Sequence, residues 1–238
     1  MKWIRKPRFL LVYPLVAAIF LVSRTTERRL LFGFPVVLLG EFLRIWANGY
    51  VGHVKVNWTQ RERGDAKIGQ LITGGPYAYV RHPLYLGTFV IGVGFCIIVG
   101  NIWISLVALT FFLLVYLWRM GKEEEILREE WGDVFERYRR AVPRWLPSGR
   151  RYDQPHGRWS WKGIAASKEL KTLVWVIVMV ILLYFREEVF QEHELFRGLK
   201  RVKSIALLGL MGVLIAADLG YELSRRRIKR LQANGASP

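Results

Sequence analysis

The 238-residue chain has one cysteine, Cys96, and four histidines, His53, His82, His156 and His193. A single cysteine excludes an internal disulfide and a cysteine zinc cluster. The histidines are scattered without ligand spacing, so metal catalysis has no support. Acidic residues are scarce: 19 Asp and Glu stand against 36 Lys and Arg, a formal net charge of +17. There is no G-x-G-x-x-G dinucleotide fingerprint and no internal sequence repeat. The basic excess invites a nucleic-acid partner, but no nucleic-acid-binding motif interleaves the charges. They flank apolar blocks instead, as contact with anionic lipids requires.

Hydrophobic residues make up 52% of the chain. Oily and basic blocks alternate, which is the pattern of an integral membrane protein with cationic cytoplasmic loops. A spanning helix needs roughly 17–25 mostly apolar residues. Six blocks approach that length: 9–23, 30–47, 84–100, 102–119, 171–185 and 204–220. The expected fold class is therefore all-α, a polytopic membrane protein of about six spans. The stretch "VGNIW", 99–103, has room only for a tight turn, so spans three and four form a hairpin. The first block has a basic start but lacks a small-residue cleavage site, so it does not read as a signal peptide.

Lys2, Arg5, Lys6 and Arg8 precede the first block, and "RRRIKR", 225–230, lies near the C-terminus. The loop "REEVFQEHELF", 186–196, is acidic. The positive-inside bias then puts both termini and the segments 48–83 and 120–170 in the cytoplasm. The loop "RTTERR", 24–29, runs against that bias. After "RYRRAVPRWLP", 137–147, the polar stretch "SGRRYDQPHGRWSWKG" reads as a linker or interfacial loop. The expected division is a core over 1–147, a basic linker over 148–164 and a two-span appendage over 165–238.

Two cytoplasmic segments carry chemistry-bearing residues. The first ends in "DAKIGQLITGGPYAYVRHPLYLG", 65–87. Gly74-Gly75-Pro76 signals a turn, and Pro83 suits the first turn of the third span. Arg81 and His82 then sit at the headgroup level, with Tyr85 and Gly87 just inside the helix. Arginine and tyrosine are ordinary interface anchors, but an anchor does not need a histidine between arginine and proline. The second segment, "WRMGKEEEILREEWGDVFERYRRAVPRWLP", follows the fourth span without a break. Leu127, Trp131, Val134, Phe135 and Tyr138 share one face of an amphipathic helix. Arg119 and Glu123 are four apart and able to pair. Most glutamate runs are solvated, yet this one begins where the span leaves the bilayer.

Together, "GPYAYVRHPLYLG", Asn101 in the hairpin and "EEEIL…WGDVFERYRRAVPRWLP" resemble the isoprenylcysteine carboxyl methyltransferases and the related phospholipid N-methyltransferases. The family pattern is roughly G-x-Y-x-x-x-R-H-P-x-Y-x-G, a helical hairpin, then E-E-x-x-L, G-x-x-[YF]-x-x-Y and a basic "VP". Every element occurs in order over about residues 65–147. The two C-terminal spans lie outside the family's pattern.

The resemblance implies an integral membrane enzyme that uses S-adenosylmethionine and acts on a lipophilic acceptor at the cytoplasmic border. By motif position, the cofactor residues are Tyr77, the run His82, Pro83, Leu84 and Tyr85, the upstream Gln70, Leu71 and Ile72, and Glu123 and Tyr138. Glu124 or Glu125 is able to exchange roles with Glu123. Arg119 takes the position of the substrate-contacting arginine, and Arg119 and His82 are the catalytic candidates. A carboxylate acceptor needs no base, only a cation to hold it, and Arg119 offers a two-pronged grip. His82 suits the cofactor carboxylate, or base duty toward an amine or thiol. Carboxyl O-methylation is the leading reading. A phospholipid N-methyltransferase, a membrane NADPH-dependent reductase and a non-enzymatic scaffold are the alternatives. Nothing in the sequence assigns an oligomeric state.

Overall fold

The computed structural model describes residues 23–51, 70–167, 169–187 and 198–233. Residues 9–22 of the first apolar block, His53 and His193 lie outside them. The described residues form six α-helices and no strand: α1 Glu27–Val51, α2 Pro83–Val99, α3 Ile102–Ala141, α4 Trp161–Ser167, α5 Glu169–Glu187 and α6 Gly198–Ala233, with a 3-10 turn at Gly75–Ala78. The chain divides into two compact units, Met1–Glu169 and Leu170–Pro238.

In the first unit, α1 and α2 pack antiparallel through glycines seven residues apart on each helix. A Cβ on Gly33 would lie 2.7 Å from the Gly94 carbonyl oxygen, and one on Gly40 would lie 2.6 Å from that of Gly87. Only hydrogen side chains permit so close an approach, which is how small residues join helices in lipid. Pro83 opens α2, where its missing N–H has no helical partner to lose. The expected hairpin follows. Asn101 caps α3, its Oδ1 accepting from the backbone N–H of Trp103 at 3.2 Å and of Ile104 at 3.3 Å.

The fourth span and the amphipathic segment form the 40-residue α3, but not as one unbroken helix. At Gly132 the backbone turns to φ 46°, ψ −122°, and the rod kinks. Beyond it, Phe135 and Tyr138 bury against Leu71 and Val142, with Leu127, Trp131 and Tyr152 packed on that core. Val134, expected on the same face, is half-exposed and lines a cavity together with Trp131.

Among the described residues, three helices are long and apolar enough to cross a membrane: α1, α3 and the 204–221 part of α6. The 17-residue α2 is apolar but shorter, and α5, expected to span over 171–185, is not among the three. Leu106, Val107, Phe111 and Leu114 of α3 stand exposed. A helix apolar on its outer face suits hydrocarbon rather than water.

Two polar ties cross these apolar surfaces. Within the first unit, Arg44 donates from Nε to Glu169 at 2.5 Å and from Nη1 to the Thr88 hydroxyl, while Asn48 donates to the same Glu169 at 2.8 Å. Within the second, Asp218 accepts from Trp175 Nε1 at 3.2 Å and pairs with Lys171 at 3.0 Å. Buried charges persist in such surroundings only when paired.

The glycine contact yields a direct test. Gly40→Val overpacks α1 on α2 and should cost about 1–3 kcal/mol, read as a lower thermal midpoint in detergent. Gly92→Ala should show no loss, because its Cβ would meet only Leu109, at 3.8 Å.

Candidate functional site

The motif segment before α2 is fixed from three sides. Gly75 has φ +60°, and a Cβ there would collide with the Tyr50 ring, so both backbone and packing require glycine. The basic stretch after α3 runs back along the same segment. Ser148 N–H donates to Tyr79 O at 2.8 Å and Tyr152 N–H to Ala78 O at 3.0 Å, while Thr73 and Gly74 N–H both donate to His156 O. The Thr73 hydroxyl donates to Gln154 O at 3.0 Å and accepts from His156 N–H at 2.8 Å. The helix end closes the third side. Arg81 N–H donates to Pro143 O at 2.9 Å, and the Tyr138 hydroxyl donates to Tyr77 O at 2.7 Å.

A cavity of about 120 Å³ lies between the motif segment and α3. Gln70, Leu71, Ile72, Tyr77 and Arg81 of the motif segment line it together with Glu123 and Tyr138 of α3. A second cavity, of about 240 Å³, shares Gln70 and Leu71 and is otherwise lined by Trp131, Tyr152 and their neighbours. Burial pushes the Tyr77 hydroxyl well above its ordinary pKa, helped by Tyr138 and Glu123. Tyr138 is raised for the same first reason. Both are neutral hydrogen-bonding phenols at physiological pH.

The three adjacent glutamates have three different surroundings. Glu123 lines the cavity and accepts from the Tyr85 hydroxyl, with Arg119 Nε and His82 Nδ1 each 3.8 Å away. Glu124 is buried; it takes a two-pronged grip from Arg144, pairs with His82 Nε2 at 3.0 Å and has Arg81 Nη1 at 3.1 Å. Glu125 pairs with Lys122 at 2.7 Å on the exposed face. Burial works to raise the Glu124 pKa, but hydrogen bonds from His82 and Arg144 and the Arg81 charge outweigh it, and the result falls from 4.5 to about 2. The Glu124 hydrogen bond in turn raises Arg144.

The sequence-derived candidates thus divide. Gln70, Leu71, Ile72, Tyr77, Glu123 and Tyr138 share one cavity. His82, Pro83, Leu84 and Tyr85 do not line it. His82 and Pro83 are buried, and Tyr85 is tied to the lining residue Glu123 by its hydroxyl, its ring packed edge-on against Tyr116. Arg119 stands at the border with its side chain 55% exposed. Arg144 was missed, although the basic "VP" run held its only signal: an arginine directly after a helix-ending proline. Arg81, read as an interface anchor, is a cavity wall.

Residues 31–129 match the model of the isoprenylcysteine carboxyl methyltransferase family. That region begins in α1 and ends in α3 beyond Glu123. The chain is 34% identical over 149 residues to a protein-S-isoprenylcysteine O-methyltransferase of Schizosaccharomyces pombe, covering 60% of this chain and 56% of the relative. It is 30% identical over 118 residues to the Homo sapiens protein of that name, covering 48% and 40%. Against protein-S-isoprenylcysteine O-methyltransferase B of Arabidopsis thaliana it is 29% identical over 119 residues, covering 49% and 58%. The chain spans about half the length of these curated relatives. No solved structure matches it.

Glu124 carries a pH signature. A carboxylate whose folded pKa lies below its unfolded value stabilises the fold fully above the unfolded pKa, and that stability disappears as pH falls through the folded one. The window here runs from 4.5 down to about 2, worth on the order of 3 kcal/mol. Thermal unfolding in detergent from pH 7 to 3 should show a steep acid loss in the wild type. Glu124→Gln should start lower and lose less over the same range.

Proposed function

We propose that this chain belongs with the isoprenylcysteine carboxyl methyltransferases and is a membrane enzyme that moves a methyl group from S-adenosylmethionine to the carboxylate of a lipid-like or prenylated cysteine acceptor. One observation carries the reading. Residues from two segments about 50 positions apart in sequence, Gln70 to Tyr77 and Glu123 to Tyr138, line one cavity where an apolar helix becomes polar. A water-borne cofactor and a lipid-borne acceptor meet only at such a border.

The residues suit the cofactor. The cavity has a cationic wall at Arg81, an anionic wall at Glu123 and aromatic faces at Tyr77 and Tyr138, the last two favourable to a sulfonium. The cofactor, when bound, supplies an electrophilic methyl on a positively charged sulfur. The protein's task is to align the acceptor with that methyl and keep water out. Arg119 stands exposed at the border, within reach of an acceptor arriving from the bilayer, and its guanidinium holds a carboxylate in two-pronged geometry. A carboxylate is already deprotonated at neutral pH, so no side chain needs to act as a base. Tyr85 holds Glu123 in place by a hydroxyl hydrogen bond. The basic loops favour an anionic bilayer surface around this border.

The test is methyl transfer from radiolabelled S-adenosylmethionine to a farnesylated cysteine analogue in detergent. Label in the acceptor that is released as methanol by mild alkali is the expected product, because only a carboxyl ester is cleaved so easily. Arg119→Gln should lower kcat/KM by roughly tenfold or more, the loss expected for a charged hydrogen bond. Cofactor binding without any alkali-labile product would overturn the carboxyl reading.

A further inference from the structure

We infer that Arg81 and Glu123 form a receptor for a zwitterion, in which Arg81 binds the carboxylate and Glu123 the ammonium of the cofactor's amino-acid end. This rests on the cofactor reading above and gives Arg81 a role the sequence did not assign it.

Arg81 is nearly buried, with its side chain 11% exposed, and it lines the cavity. Its Nε and Nη1 are buried and have no hydrogen-bond acceptor among the described residues. Glu124 Oε1 lies 3.1 Å from Nη1, close enough for charge attraction but without the geometry of a hydrogen bond. Glu124 is also committed elsewhere, to the fork of Arg144 and to His82. One carboxylate therefore faces two guanidinium groups, and a positive charge is left over at the cavity wall. Orphaned buried donors are costly, and a buried charge needs a counter-charge. An anionic ligand group supplies both.

The same cavity also carries an anionic group. Glu123 is held there by the Tyr85 hydroxyl. A ligand bearing both an ammonium and a carboxylate complements a cavity lined by one group of each sign. On this assignment Arg81, rather than His82, donates to the carboxylate. The two ring nitrogens of His82 face Glu124 and Glu123, and His82 does not line the cavity. Arg119, at 55% exposure, remains at the mouth for the acceptor.

Two nucleosides separate the possibilities. S-adenosylhomocysteine carries the amino-acid end, and methylthioadenosine lacks it. Calorimetry on the detergent-purified full chain would compare their affinities in wild type, Arg81→Gln and Arg81→Lys. Wild type should favour S-adenosylhomocysteine by about tenfold or more, as expected for charge-assisted hydrogen bonds. Arg81→Gln should bring that ratio close to one while leaving methylthioadenosine affinity unchanged, and Arg81→Lys should retain part of it. Because the ratio is taken within each protein, a lower folded fraction cancels. An unchanged ratio in Arg81→Gln, or an equal loss of both ligands, overturns the assignment while the cofactor reading stands, and an acceptor carboxylate becomes the candidate for Arg81. Binding of neither nucleoside by the wild type overturns the cofactor reading and this assignment with it.

Discussion

The buried Glu124 carboxylate holds three segments of the chain together. His82 comes from the start of α2, Arg81 from the turn before it and Arg144 from the corner after α3, and all three converge on one side chain. Removing a carboxylate from water costs several kcal/mol unless its lone pairs are filled. Here they are filled by a guanidinium fork and an imidazole, which is why the carboxyl stays ionised down to a pKa of about 2. The same contacts fix where everything else stands. With Glu124 turned into the protein, its neighbour Glu123 faces the cavity and Glu125 faces outward, because adjacent helical residues point about 100° apart.

Much of the helical frame is legible in the sequence. Apolar length marks α1, α2, the first half of α3 and part of α6. Pro83 marks the start of α2, and Asn101, as a side-chain cap, the start of α3. The segment from Gln70 to Ile72 is legible only by its resemblance, since Gln70, Leu71 and Ile72 carry no distinctive chemistry of their own. What remained hidden depends on tertiary geometry. Three consecutive glutamates look alike until the phase of α3 against the motif segment is known. Arg144 lies about 60 residues from the motif it supports, beyond a proline that ends the helix. The kink at Gly132 is invisible to a periodicity argument, which tolerates a single glycine in a helical run. The stretch 148–157 has the composition of a linker, but its backbone N–H groups find partners in the motif segment, and composition does not report backbone pairing.

The site's position follows from the same frame. α2 and the apolar half of α3 bring their ends to one level, and the polar motif residues collect there. The glycine contacts between α1 and α2 set how closely the Arg44 tie and the start of α2 approach. Arg119, paired with Glu123, stands exposed beside the apolar faces of α3. Unit two, Leu170–Pro238, lies outside the matched family region and carries its own buried tie at Asp218.

The most direct measurement of the central interaction is a double-mutant cycle between Glu124→Gln and Arg144→Gln, read as thermal stability and S-adenosylhomocysteine affinity in detergent. If Glu124 is the shared anchor, each single variant loses both properties and the double variant loses no more than the worse single, a coupling of about 1 kcal/mol or more. Losses that simply add would mean that the two side chains act independently, contradicting the role of Glu124 as the joint on which the cavity is built.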